Sequence, residues 1–67
     1  MIREWLREER MNKEMSQKCV SDTVGIAQPY YNQIENGERR PSVDVAKKIA
    51  AVLGFDWTLF FEEKKGA

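Results

Sequence analysis

Histidine is absent from this chain, and cysteine occurs once, at Cys19. Those two shortages remove whole classes of chemistry. Zinc sites of the usual Cys/His type need several such ligands, and a disulfide framework needs cysteine in pairs. Neither a Ser/His/Asp nor a Cys/His catalytic set can be assembled without an imidazole. Net charge is missing as well: 11 Lys+Arg balance 11 Asp+Glu, and the pI lies near 6.2. No overall field draws such a chain to nucleic acid, to a membrane surface or to acidic partners, so any such role must rest on the placement of a few cations. No apolar run approaches the ~18 residues of a membrane span, and Met1-Ile2-Arg3-Glu4 does not begin a signal peptide. A length of 67 residues leaves room for one small domain. What is present is enough to fold it: 42% of residues are hydrophobic and 10% aromatic, whereas a disordered chain has fewer apolar residues and a charge far from zero. These bounds lead to the expectation of a small soluble cytoplasmic domain that binds something, catalyses nothing, carries no cofactor or metal and has no membrane segment.

Periodicity and punctuation read as helices throughout. Ile2, Trp5 and Leu6 recur at helical spacing against Arg3, Glu4, Arg7 and Glu8, which predicts a first helix from about Ile2 to Met11. Ser16 has the side chain of an N-cap for a second helix, Gln17 to Val24, with Val20 and Val24 as its inward i, i+4 pair. Cys19, Val20, Ser21, Asp22, Thr23 and Val24 are all middling helix formers, so tertiary packing must hold this segment. Cys19 falls on the outward side with Asp22 and Thr23 and reads as an incidental thiol. Gly25 supplies the left-handed C-cap, and Ile26 plugs the core. A third helix follows from Gln28 to Asn36. Ala27 cannot cap it, but Pro29 removes a donor that would lack a partner there. Tyr31 and Ile34 face inward; Gln28, Pro29, Asn32 and Gln33 face outward. Asn36-Gly37 stops the helix, Pro41 keeps the next linker extended, and Ser42 caps a fourth helix through Leu53 with Val45, Ile49, Val52 and Leu53 as its stripe. Asp56 caps a last short helix whose Trp57, Phe60 and Phe61 should pack back on Ile2, Trp5 and the fourth helix. The division expected is a domain at 1–62 and a frayed tail at 63–67.

The informative object is the pair of short helices joined at Gly25, since two helices linked by a tight glycine-containing turn make a helix-turn-helix. The order Ser16-Gln17, Val20, Val24-Gly25-Ile26, Tyr31, Gln33-Ile34-Glu35-Asn36-Gly37 and Arg39-Arg40-Pro41-Ser42 closely resembles the Cro/phage-repressor (XRE-type) family of bacterial and phage transcription regulators. The likeness runs from about Leu6 to Phe61. It implies an all-α, five-helix, lambda-repressor-like DNA-binding domain whose second and third helices form the motif.

That resemblance implies roles for particular residues. The helix from Gln28 to Asn36 would lie in the major groove, with Gln28, Pro29, Asn32 and Gln33 facing base edges. A glutamine can pair bidentately with adenine, worth about 1–3 kcal/mol of discrimination. Pro29, where relatives often have a polar reader, offers only apolar contact. Gln17, Tyr30, Asn36, Arg39 and Arg40 would grip the sugar-phosphate backbone, which positions the domain without reading sequence. No charged residue falls on the reading face itself. Arg10 and Glu35 would form a partly buried ion pair that fixes the angle of the recognition helix. Two departures weaken the local support: Ser21 stands where alanine is usual and needs a hydrogen bond, for instance back to Gln17, and Ala27 replaces a Ser or Thr cap.

The implied function is a sequence-specific DNA-binding transcriptional regulator, most simply a repressor that binds a pseudo-palindromic operator in double-stranded DNA as a homodimer. It would act in the cytoplasm of a bacterium or from a phage genome, in association with the nucleoid. The second reading is a protein-interaction module of the same fold, an antitoxin or a regulatory partner, using the C-terminal aromatics as its main surface.

Overall fold

Local capping sets most of the helix boundaries. The structure, a computed structural model, describes residues 2–62. Four α-helices follow in order, α1 (Glu4–Asn12), α2 (Gln17–Val24), α3 (Gln28–Glu35) and α4 (Val43–Leu53), and a 3-10 helix spans Trp57–Phe61. No strand occurs among the described residues. Ser16 Oγ accepts the Cys19 N–H at 3.0 Å and Ser42 Oγ accepts the Val45 N–H at 3.2 Å. Each thereby satisfies a donor that the first helical turn leaves without a partner. Asp56 accepts both the backbone N–H and the hydroxyl of Thr58, at 3.0 and 2.9 Å, and these bonds hold its carboxyl below the ordinary range. The side chain of Ala27 makes no capping bond at the start of α3.

Gly25 ends α2 at φ +88°, a backbone conformation costly for any residue with a Cβ, and its N–H closes on Ser21 O at 2.8 Å. The chain therefore reverses sharply between α2 and α3, and this reversal gives the helix-turn-helix its shape. The last helix differs from expectation. Trp57–Phe61 winds as a 3-10 turn, the form that short terminal helices commonly take.

The core gathers Leu6 from α1, Val20 and Val24 from α2, Tyr31 and Ile34 from α3, Ala46, Ile49 and Leu53 from α4, and Phe60. Full burial of each large apolar side chain contributes about 1.5–3 kcal/mol. The inward stripe of α4 is Ala46, Ile49, Ala50 and Leu53, while Val45 and Val52 are only half-buried. The valines expected to lead this stripe flank it. α4 packs against α2, and Ala46 and Ala50 are buried there, while the more hydrophobic Val45 and Val52 pack against the core from its edge. Trp5 meets Phe55 and Phe60 edge-on, each at 5.2 Å between ring centroids, and Phe55 and Phe60 lie 5.6 Å apart. Ile2, expected in this aromatic cluster, is 49% exposed instead. It precedes α1, which begins at Glu4, so it lies outside the helical register that carries Trp5 and Leu6 inward. The expected tail at 63–67 lies outside the described residues.

Candidate nucleic-acid interface

One buried carboxylate anchors α3 from beneath. Glu35, at the end of α3, is 3% exposed. Arg10 of α1 donates to it twice, Nε to Oε2 at 2.8 Å and Nη2 to Oε1 at 3.1 Å. Gln17 Nε2 at the start of α2 donates to Oε1 at 2.9 Å, and the Tyr31 hydroxyl donates to Oε2 at 2.8 Å. Burial alone would push the Glu35 carboxyl up, but the bonds from Arg10, Gln17 and Tyr31 outweigh it and hold it below the ordinary range. Burial first, and then the bond to Glu35, push the Tyr31 phenol well above its ordinary value, so it remains a neutral donor. The bond to Glu35 raises Arg10, which stays charged. Arg10 Nη1 also donates to Met15 O at 2.8 Å, tying down the approach to α2. One anion thus joins α1, α2 and α3.

Three residues donate to that carboxylate, and the sequence points to Arg10 alone. The i, i+4 spacing of Tyr31 and Glu35 on α3 was a usable signal for the second. Gln17, a phosphate contact on the resemblance, turns its amide nitrogen inward to Glu35. Ser21, fully buried, donates to Lys18 O at 3.0 Å and not back to Gln17. A helical serine hydroxyl can reach the carbonyl three or four residues back, and here it takes the one three back.

Above this anchor the residues expected to face outward divide. Gln28 and Pro29, at the N-terminal end of α3, are exposed. Asn32 and Gln33 are half-buried, and Asn32 Oδ1 is buried without a hydrogen-bond partner among the described residues. Gln33 Oε1 accepts from Arg39 Nε at 2.8 Å, and the Arg39 guanidinium lies 5.8 Å from the centroid of the half-buried Tyr30 ring. The loop thus folds a cation back onto a helix face that lacks one in sequence. Asn36, Arg39 and Arg40 are exposed along this loop, and Arg40 lies 5.8 Å from the Phe61 ring centroid. The arrangement presents an exposed amide at one end of α3 and two exposed guanidinium groups past the other end. Cys19 is exposed on α2. No group of three or more His, Cys, Asp or Glu that could hold a metal ion occurs among the described residues, and no helix among them is long and apolar enough to cross a membrane.

Comparison with known proteins bears on this geometry directly. The helix-turn-helix family model matches residues 6–60. The chain is 51% identical over 63 residues to the uncharacterized HTH-type transcriptional regulator YqaF of Bacillus subtilis (strain 168), an alignment covering 94% of this chain and 83% of that protein. It is 35% identical over 49 residues to the uncharacterized HTH-type transcriptional regulator MT0491 of Mycobacterium tuberculosis, covering 73% of this chain and 35% of that one. It is also 38% identical over 53 residues to the propionyl-CoA carboxylase regulator of Cereibacter sphaeroides, of which it spans 12%. Among solved structures, the N-terminal DNA binding domain of SinR from Bacillus subtilis superposes with a TM-score of 0.79 at 25% identity, over 94% of this chain and 93% of that one. A chain of the SinR protein/SinI protein complex gives 0.81 at 26% identity, over 94% of this chain and 62% of its own length. The sequence match, the shared fold and the turn at Gly25 agree: the chain belongs to the XRE-type helix-turn-helix family of DNA-binding transcriptional regulators.

Proposed function

We propose that this protein is a repressor that binds a pseudo-palindromic operator as a homodimer, reading bases with the exposed start of α3. The observation that carries the reading is the exposure of Gln28 and Pro29 on a helix whose opposite face is pinned through Glu35 to α1 and α2. A rigidly held amide can discriminate base edges; a loosely held one cannot. Asn32 and Gln33 take part further along the groove, with Gln33 oriented by Arg39. Tyr30, Asn36, Arg39 and Arg40 hold the sugar-phosphate backbone, together with Gln17 through the amino end of α2. The Arg10–Glu35 pair fixes the angle of α3. Cations are few, so the salt dependence of one subunit is shallow, at roughly 0.9 in log-log slope for each phosphate neutralised. Two subunits on half-sites about one helical turn apart multiply that modest affinity. Repression follows from occupying a promoter, in the cytoplasm on a bacterial or phage chromosome.

One observation favours a second reading. Trp57 and Phe61, 5.9 Å apart, are half-buried beside Lys47 and Arg40, leaving partly open aromatic rings at the C-terminal end of the fold. SinR, which has the same fold, is found in complex with SinI. A protein partner bound at these aromatics would control or replace DNA binding. Selection of bound sequences from random duplexes at fixed salt separates the two. Recovery of a two-fold symmetric site supports the regulator, whereas recovery of no preferred sequence favours the interaction module.

A further inference from the structure

The C-terminal end of α3 is closed by a residue from outside the helix-turn-helix. The last carbonyls of a helix have no intrahelical partner and must be satisfied by something else. Asn32 O accepts from Asn36 N–H at 2.9 Å, and Gln33 O accepts from the N–H groups of Glu38 and Arg39 at 2.8 and 3.2 Å. Ile34 O accepts from the Gly37 N–H at 3.1 Å and keeps a second lone pair, and Glu35 O has no partner from within the helix or its loop. Arg3, just ahead of α1, reaches both: its backbone N–H donates to Glu35 O at 2.8 Å, and its guanidinium Nη1 donates to Ile34 O. The same Nη1 donates to Arg39 O at 3.1 Å, and the guanidinium lies 5.8 Å from the centroid of the buried Phe60 ring. One side chain therefore joins the end of the reading helix, the loop that carries Arg39 and Arg40, and the 3-10 helix. Its positive charge also sits at the negative end of the α3 dipole.

We propose that Arg3 is a positioning residue for DNA recognition, setting where the loop arginines stand relative to the bases read by α3. This rests on the DNA-binding reading above. Arg3 acts through Ile34 O and Arg39 O, with its guanidinium beside Phe60. It is not itself a phosphate contact.

The test uses the full chain with Arg3→Gln and Arg3→Lys, at a temperature where circular dichroism shows each variant folded. Each is titrated across a salt series against the duplex recovered by selection and against a random-sequence pool. Amide hydrogen exchange at Glu38 and Arg39 is followed without DNA. Arg3→Gln is expected to lower the selected-to-random affinity ratio about tenfold, the size of one misplaced base contact. The salt slope stays unchanged, and exchange at Glu38 and Arg39 speeds up. Arg3→Lys, which can still donate to both carbonyls, restores part of the ratio. A loss of stability with an unchanged ratio and unchanged loop exchange would overturn the proposal. A slope shallower by about 0.9 would also overturn it, because Arg3 would then be neutralising a phosphate directly. Should the wild-type chain discriminate between no duplexes, the DNA reading fails by itself. Exchange at Glu38 and Arg39 still decides whether Arg3 holds the loop. If Arg3→Gln does not fold, the same measurements on Arg3→Lys carry the comparison.

Discussion

Replacing Arg10 by methionine keeps a long apolar stem and removes the guanidinium. The change deletes two bonds to Glu35 and one to Met15 O, leaving a 3% exposed carboxylate with only Gln17 and Tyr31 as donors. Stranding a buried charge in this way costs about 3–5 kcal/mol. A chain of 67 residues has roughly 3–10 kcal/mol of total stability, so Arg10→Met should be marginal or unfolded at neutral pH. Urea titration followed by tryptophan fluorescence measures the loss. The cost is mostly that of the abandoned charge, so adding Glu35→Gln to Arg10→Met should recover much of it, because the neutral amide strands no charge, its oxygen can accept from Gln17, and its NH2 can donate to the Tyr31 hydroxyl oxygen. The pH dependence follows with a definite sign. In the wild type the folded-state value of Glu35 is depressed below its ordinary 4.5, so its stabilisation is present above that pH and is lost as the pH falls through the folded-state value. In Arg10→Met burial prevails and the value rises, so protonation relieves the variant, and the gap to wild type narrows as the medium is acidified. A loss under about 1 kcal/mol, the level of an exposed pair, with a gap that does not change with pH, would refute this view of Glu35.

Further expectations concern the frame around α3. Glu14 sits at φ +56°, a left-handed conformation that is unfavourable for a residue with a Cβ, so Glu14→Gly should gain about 0.5–1 kcal/mol; thermal unfolding at a lower temperature than wild type would contradict this. Ser16→Ala removes the acceptor for Cys19 N–H and should cost about 1 kcal/mol, read as a lower urea midpoint at unchanged slope. Truncation after Asp56 takes Phe60 away from Trp5 and Phe55 and should abolish cooperative unfolding. A truncated chain that melts cooperatively near the wild-type temperature would show that the 3-10 helix is dispensable.

The features legible in the sequence are those decided within a few residues. Ser16, Gly25, Ser42 and Asp56 mark element ends because a cap bonds to an amide two or three positions away, or needs only a left-handed backbone. Tyr31 and Ile34 face inward as helical spacing requires. Features decided by long-range packing were not legible. Val45 and Val52 are more hydrophobic than Ala46 and Ala50, yet the alanines are the buried pair, and that choice depends on how α2 and α4 meet. Hydropathy does not record it. Pro41, expected only to extend a linker, is fully buried. Gln17 and Arg3 carry ordinary surface side chains, and only the fold brings a carboxylate to one and two helix-end carbonyls to the other. The outward face of α3 is legible for the exposed Gln28 and Pro29, whereas the half-burial of Asn32 and Gln33, and the bond that Gln33 Oε1 accepts from an arginine six residues on, are set by the fold.

The proposed base reading by the start of α3 and the proposed backbone attraction by the arginine loop are separable in one experiment. Gln28→Ala and Arg40→Ala change exposed side chains, so both proteins should stay folded. Each is titrated at fixed salt against the selected duplex and against random duplexes. Gln28→Ala should weaken only the selected duplex, by about 1–3 kcal/mol, while Arg40→Ala should weaken both to a similar degree. Equal losses on both duplexes from both changes would contradict the division of labour and leave α3 without a reading role.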